Sequence, residues 1–466
     1  MPTRSQTVSA SPIPLIGFVL LLAAGGGLII AQAGPGLSLG AALLVILLLV
    51  CVLHTEFALH VILLSMLLSP EIVLGSVGAI SIGKPEVKGD VLVLRVEDII
   101  LTAVATAWLA RTAIFKELGL IRRTPLNAPI LAYGVSLVLA TLLGVYAGNV
   151  RPMRGFFYTV KYIEYFVVFF MAANYIRDAR QIRRLLGTAL GTCAISALIG
   201  IMQIPSGDRV AAPFEGKYGE PNTFGGYLVL MLALTLAYAL STDAMPAQLG
   251  WIALSALLVL PLLFTLSRSS WLASVPMLLT LILLSRRRLL LLIGVGVLII
   301  LGPVIFPKQV MDRYNYTLNA AEDRGEYRFG GARLDTSSSA RLDSWLQGLR
   351  GWEKRPLFGY GVTGFAFMDA QYVRVLVEAG LVGLTAFLWL LWRLLRLGWD
   401  ARRRHAGSRF EGLTLGYLAA LMALLAHGIG ANTFIIVRIM EPFWFLTGVV
   451  AVLPSLQDER TDSRPA

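Results

Sequence analysis

Residues 249–306 read LGWIALSALLVLPLLFTLSRSSWLASVPMLLTLILLSRRRLLLLIGVGVLIILGPVIF, and this stretch decides the fold. Three apolar runs, near 249–266, 269–285 and 289–306, are separated by a Ser-Arg-Ser corner and a triple arginine. Each run is close to the ~20 residues that a helix needs to cross a bilayer. Barrel strands would be about half as long and would alternate in polarity. Working outward, similar runs fall near 13–32, 36–53, 55–69, 93–111, 128–147, 157–174, 185–204 and 221–241. Three more follow at 371–397, 411–431 and 433–454. The sequence therefore predicts an all-α polytopic membrane protein, a single integral domain over 1–466 with twelve to fourteen spanning helices. The thin separator His54-Thr-Glu56 makes the second and third spans the least distinct.

Composition agrees. Of 466 residues 56% are hydrophobic and 15% charged, against about a quarter charged in a soluble protein. The net charge of +12 lies largely in short loops, where it sets orientation. No basic run has the interleaved aromatics of a nucleic-acid surface. Lys116, Arg122 and Arg123 form one cluster; Arg177, Arg180, Arg183 and Arg184 a second; 286–288 and 402–404 two more. With these spans all four fall on one side, the cytoplasmic side by the positive-inside rule. The tails 1–12 and 456–466 are then cytoplasmic. Met1 to Pro14 lacks a cleavage pattern, so the first span is expected to stay as an anchor. Cys51 and Cys193 both fall within spans and suggest no disulfide. The chain has no Cys/His cluster, and Glu97 and Asp98 have no second acidic cluster beside them, so no metal is expected.

Residues 307–370 form the one long polar stretch, on the outer face. It holds seven arginines from Arg313 to Arg355. It is too long for the orientation rule to govern, and a long loop is costly unless it serves a function. Leu342, Trp345, Leu346, Leu349 and Trp352 recur at helical spacing and predict a short helix over 340–355. Ser337-Ser-Ser339 is placed to cap its start and Pro356 to end it.

The polar motifs cluster at span ends. Arg268 sits in the corner between two spans. It either binds an anionic lipid headgroup through its planar fork or snorkels to phospholipid. In the loop 213–226, Glu215, Lys217, Glu220 and Asn222 are candidates for sugar hydroxyls, with Asn222 alternatively an N-cap. Asp369 stands before a spanning helix, as a general base or as a charge favoured by the helix dipole. Tyr372 and Arg374 follow as further substrate-binding candidates, with Arg374 and Glu378 alternatively spaced to pair. His427 binds substrate or hydrogen-bonds between helices. Arg154 and Lys161 are further substrate-binding candidates, and Lys161 alternatively pairs with Glu164.

Taken in order, these motifs resemble the bacterial O-antigen ligase and polysaccharide polymerase family. Glu220-Pro-Asn222 is similar to the family's G-x-x-x-x-P-N loop, and Ser267-Arg268-Ser269 to its Ser-Arg-Gly/Ser turn. Arg341 to Trp345, then Arg355 to Gly361, resemble R-x-x-x-W … P-x-x-G-x-G. Tyr372, Glu378, Gly380 and Gly383 resemble Y-x-x-x-x-x-E-x-G-x-x-G. The resemblance implies a metal-independent, cofactor-free, inverting glycosyltransferase at the outer face of the plasma membrane. Its donor would be an oligosaccharide on undecaprenyl pyrophosphate, and a chain-length regulator is a candidate partner. Arg268 and Arg341 would hold the pyrophosphate, and Asp369 would be base or acceptor orienter. Ligases of the family carry a His-Asn pair where this chain has Asp369-Ala370, which favours the polymerase branch. The alternatives are a ligase acting on lipid A–core, and a transporter of lipid-linked sugars. A transporter would predict polar residues at mid-membrane and internal symmetry, neither of which the sequence shows.

Overall fold

The computed structural model describes residues 46, 50–51, 54–69, 71–74, 80–82, 92–114, 122–214, 219–305, 308–312, 328–329, 332–333, 336–366 and 368–461. The expected span at 13–32, most of that at 36–53, the tail 1–12, and Glu215 and Lys217 lie outside the described residues.

The chain is a polytopic helical membrane protein. Its described helices are α1 (Thr55–Leu68), α2 (Val96–Ile114), α3 (Asn127–Tyr146), α4 (Pro152–Tyr175), α5 (Ala179–Gln203), α6 (Pro221–Ser241) and α7 (Met245–Phe264). They continue with α8 (Arg268–Leu284), α9 (Arg288–Ile305), α10 (Thr336–Lys354), α11 (Gln371–Arg404), α12 (Glu411–Gly430) and α13 (Val437–Thr461). Among the described residues, eight helices are long and apolar enough to cross a membrane, and three shorter apolar helices accompany them. Two small antiparallel sheets interrupt the helices. One joins Glu71–Leu74 to Ile80–Ile82 and Leu92–Arg95; the other pairs Arg328–Phe329 with Ala332–Arg333.

Burial follows sequence character. α6, α12 and the 437–456 part of α13 are predominantly apolar, and 89%, 78% and 83% of their hydrophobic windows are buried, as expected of central helices. Small residues let them approach. Gly412 and Gly416 of α12 stand against Tyr238 and Leu234 of α6, and Gly448 of α13 against the Phe169 carbonyl of α4. Close backbone approach of this kind drives helix association where apolar burial alone cannot. Trp444 of α13 fills the remaining space, edge-on to Phe166 at 4.7 Å and to Phe169 at 5.7 Å.

The bundle has two distinct ends. At the basic end Arg184 pairs with Glu56 at 2.6 Å, Arg287 with Asp243 at 2.5 Å and Arg402 with Glu411 at 3.1 Å. Arg122 donates to Ser455 Oγ at 2.8 Å, and Arg393 to the Pro125 carbonyl at 3.0 Å. The described members of the four basic clusters thus gather at one end. The loops 147–151, 204–214, 219–220, 265–267, 355–366, 368–370 and 431–436 lie at the other.

One spanning helix is broken. Gly380 in α11 has φ +66° and ψ −166°, which ends one helical segment and starts another. A break inside a membrane frees backbone groups that lipid cannot satisfy. The segment 356–361 satisfies them. Tyr360 N donates to Val377 O at 3.0 Å and Gly361 N to Glu378 O at 2.8 Å. In return Leu381 N reaches Pro356 O at 2.8 Å and Val382 N reaches Leu357 O at 3.1 Å. Contact is so close that a Cβ on Gly359 would meet Val377 O at 2.3 Å, and one on Gly380 would meet Leu357 O at 2.2 Å. Gly359 and Gly361 are also left-handed, at φ +66° and +86°, a conformation that favours glycine.

Helix α10 runs from Thr336 to Lys354, longer than the 340–355 expectation, so the three serines lie in its first turn rather than before it. Its closest contacts with the bundle are made by glycines. Gly348 stands against Met368 and Val373, and Gly351 against Phe365, while Leu346 and Leu349 are exposed. Its smallest residues let it lie on α11, leaving the leucines outward.

Candidate active site

Five chain segments meet at the end opposite the basic loops. The first is the corner between α7 and α8. Leu266 there is left-handed, at φ +50°, and Arg209 clamps the corner by donating to Thr265 O at 2.9 Å and Leu266 O at 3.3 Å. Ser267 caps α8, its hydroxyl accepting from Ser270 N at 3.3 Å. Arg268 is therefore the first residue of α8. Its guanidinium and the unsatisfied amides of a helix N-terminus both favour an anion at this point.

The second segment is the start of α6. Its N-cap is Glu220, followed by Pro221. This corrects the expectation for Asn222, which lies inside the first turn and caps nothing. Asn222 Oδ1 instead accepts from Ser267 Oγ at 2.7 Å, tying α6 to the arginine corner. Ser270 Oγ donates to Ser267 Oγ at 2.8 Å and meets His427 Nε2 at 3.1 Å. His427 Nδ1 meets Thr433 Oγ1 at 2.7 Å. Gly225 and Gly226 make room for this chain, since a Cβ on Gly225 would overlap Ser270 and one on Gly226 would overlap Ile439 and crowd the His427 ring. His427 has no exposed surface and both ring nitrogens are engaged. It links α8 to the loop after α12 through Ser270 and Thr433.

The third and fourth segments meet at Asp369. Asn432, in the loop after α12, donates to Met368 O at 2.8 Å and to Asp369 Oδ1 at 3.4 Å. Gln371 accepts from Phe434 N at 2.9 Å. Both contacts pin 368–371 to 432–434. Burial pushes the Asp369 carboxyl above the usual carboxylate range; Arg341 opposes this, Glu220 reinforces it and Arg374 opposes it. Arg341, on α10, is the fifth contributor. A half-buried carboxylate beside two cations and one acid has the surroundings of an acid–base group.

The remaining candidates are placed as follows. Tyr372 donates to Leu425 O at 2.7 Å, joining α11 to α12. Arg374 pairs with Glu378 at 3.2 Å, as its spacing suggested, and lies over the Tyr162 ring. Glu378 also accepts from Thr363 N at 3.1 Å, so this pair braces the loop inserted at Gly380. Lys161 does not pair with Glu164 as its spacing suggested; it holds Asp98 of α2 at 2.9 Å. Arg154 lies exposed, over Tyr158. The structure thus brings Arg268, Arg341, Asp369, Glu220 and Asn222 to one place. It gives Arg374, Tyr372 and Lys161 partners in the framework. Arg209 and Thr433 were not visible as candidates in the sequence, and Ser270 and Gln371 stood inside the motifs without a role of their own. Asn432 was visible only as a polar residue after the glycines of α12.

Residues 253–388 match the family model described as O-antigen ligase. Over that stretch, less than a third of the chain, it is similar to the O-antigen ligase family. The matched segment holds Arg268, Arg341, the inserted loop, Asp369 and Gly380. Glu220, Asn222, His427 and Asn432 fall outside it and reach the site through the contacts above. No curated protein matches the sequence.

Proposed function

We propose that this O-antigen ligase-like membrane enzyme is a polymerase that joins lipid-pyrophosphate-linked oligosaccharide repeats at the outer face of the plasma membrane. The observation that carries the reading is Asp369: a half-buried carboxyl whose ionisation Arg341 favours and Glu220 opposes, in the place where ligases have His-Asn. Asp369 takes the proton of the acceptor hydroxyl. The acceptor oxygen attacks the anomeric carbon of the donor, and the bond from that carbon to the pyrophosphate oxygen breaks. The pyrophosphate leaves with the electron pair, and the anomeric configuration inverts. Arg268, the α8 amides and Arg341 stabilise the charge that develops on the leaving group, the electrostatic contribution that is largest when donors are fixed beforehand. Asn222, Ser267 and Ser270 hold the arginine corner, and Asn432 holds the carboxylate. Undecaprenyl pyrophosphate is the carrier that the family resemblance supplies.

Transfer to a different acceptor, the ligase reading, is favoured by the description of the matching family and uses the same donor chemistry. Purified protein offered a lipid-linked repeat together with lipid A–core separates the two. The polymerase reading predicts carrier-linked products of two or more repeats. Transfer to lipid A–core with no repeat-to-repeat product would overturn it.

A further inference from the structure

Far from this site, at the basic end, α8, α11 and α12 enclose a cleft of about 470 Å³. Leu283 of α8 and Leu418 and Met422 of α12 form apolar walls, and Trp392, Arg396 and Trp399 of α11 form one edge. Those three fall four and three residues apart, so they line a single stripe of the helix. The Arg396 guanidinium lies over the Trp392 ring, 5.1 Å from its centroid. Among the described residues no carboxylate pairs with it, Asp400 one turn on included.

The depth of the cleft is set by its neighbours. Leu284, the last residue of α8, accepts from Arg402 at 2.8 Å, and Arg402 pairs with Glu411 at the charged rim. Leu418 and Arg396 lie seven and six residues from these rim groups, about 10 Å along a helix. The cleft therefore opens at the level where acyl chains meet headgroups, and where tryptophan rings concentrate. The segments 284–288 and 393–411 carry nine arginines against two carboxylates, Asp400 and Glu411.

We propose that this cleft is a binding site for one anionic phospholipid of the cytoplasmic leaflet. An acyl chain fills the apolar walls, and the phosphate of the headgroup meets Arg396 at the mouth. Basic pockets between spanning helices on the cytoplasmic side suit anionic headgroups for this reason. The surplus of arginines selects net negative lipid over zwitterionic lipid. A polyprenyl chain held by its pyrophosphate at the other end would present only hydrocarbon here and leave Arg396 unmatched.

The test is lipid retention. The full chain is purified from nanodiscs of phosphatidylethanolamine with a minority of phosphatidylglycerol, and bound lipid is counted by native mass spectrometry. Phosphatidylglycerol is retained in preference to phosphatidylethanolamine. Arg396→Gln lowers its retention roughly fivefold, Arg396→Lys keeps most of it, and Leu283→Trp, which narrows the mouth, lowers it. Arg396 and Leu283 are both exposed, so neither change endangers the fold. Equal retention of the two phospholipids, unaltered retention in both Arg396→Gln and Leu283→Trp, or displacement by an equal amount of a polyprenyl phosphate would each overturn the proposal. The readout is independent of glycosyl transfer, so it stands or falls apart from the polymerase reading.

Discussion

Asp369 carries the sharpest predictions at the residue scale. Replacing it by Asn removes the proton acceptor while keeping its shape, and turnover should fall about 10²- to 10⁴-fold. The acid limb of kcat/KM should lie above the ordinary carboxylate range, because burial raises the Asp369 pKa. Arg341 lowers that pKa and Glu220 raises it. Arg341→Gln should therefore move the acid limb to higher pH, and Glu220→Gln should move it to lower pH. Shifts in the same direction for both variants, or none, would remove Asp369 from the base role. Arg268→Ala should cost about 10²- to 10³-fold, the loss seen when one fixed charge-stabilising donor is removed. Arg268→Lys should recover only part of it, since an ammonium cannot reproduce the planar fork. These residues were legible in the sequence as polar groups at span ends. Their common location was not, because Glu220, Arg268, Arg341 and Asp369 lie on separate elements. The bond between Lys161 and Asp98 was hidden likewise: the nearest acid in sequence is Glu164, and only the packing of α2 on α4 offers the other.

At the scale of elements, the break in α11 organises the site. The loop 356–364 fits into it by exchanging backbone hydrogen bonds with 377–382, and Glu378 holds Thr363 and Arg374 together. Gly380→Ala would force a Cβ against the Leu357 carbonyl in a left-handed backbone conformation. It should destabilise the protein by about 2 kcal/mol or more, read as a lowered thermal midpoint in detergent and faster proteolysis within 355–364. Gly187→Ala in α5 is the control. A Cβ there meets nothing within 4 Å, so it should be neutral or stabilise by up to about 1 kcal/mol. Equal effects of the two changes would refute the inserted-loop account. The spans themselves were readable, because an apolar run of about 20 residues has few other uses. The break was not, because Gly380 sits within an apolar helical pattern and its partner lies twenty residues earlier. The packed face of α10 was not legible for a related reason: apolar periodicity marks leucines, whereas its close contact with α11 is made by glycines.

The whole molecule is polarised, with arginines tied to carbonyls and acids at one end and the candidate site at the other. If the basic end is cytoplasmic, Ser206→Cys at the site end should react with a membrane-impermeant maleimide in intact cells. Asp243→Cys should react only after permeabilisation. Both positions are exposed, and the reverse pattern would invert the topology. The central claim is that this bundle forms glycosidic bonds and is not a carrier. Its most direct test uses purified protein in vesicles with a defined lipid-pyrophosphate-linked repeat, with the length of the product glycans measured. Carrier-linked dimers and longer chains are expected from the unaltered protein and are lost in Asp369→Asn. Movement of the lipid-linked repeat across the bilayer with no new glycosidic bond, or undiminished chain growth in Asp369→Asn, would contradict it.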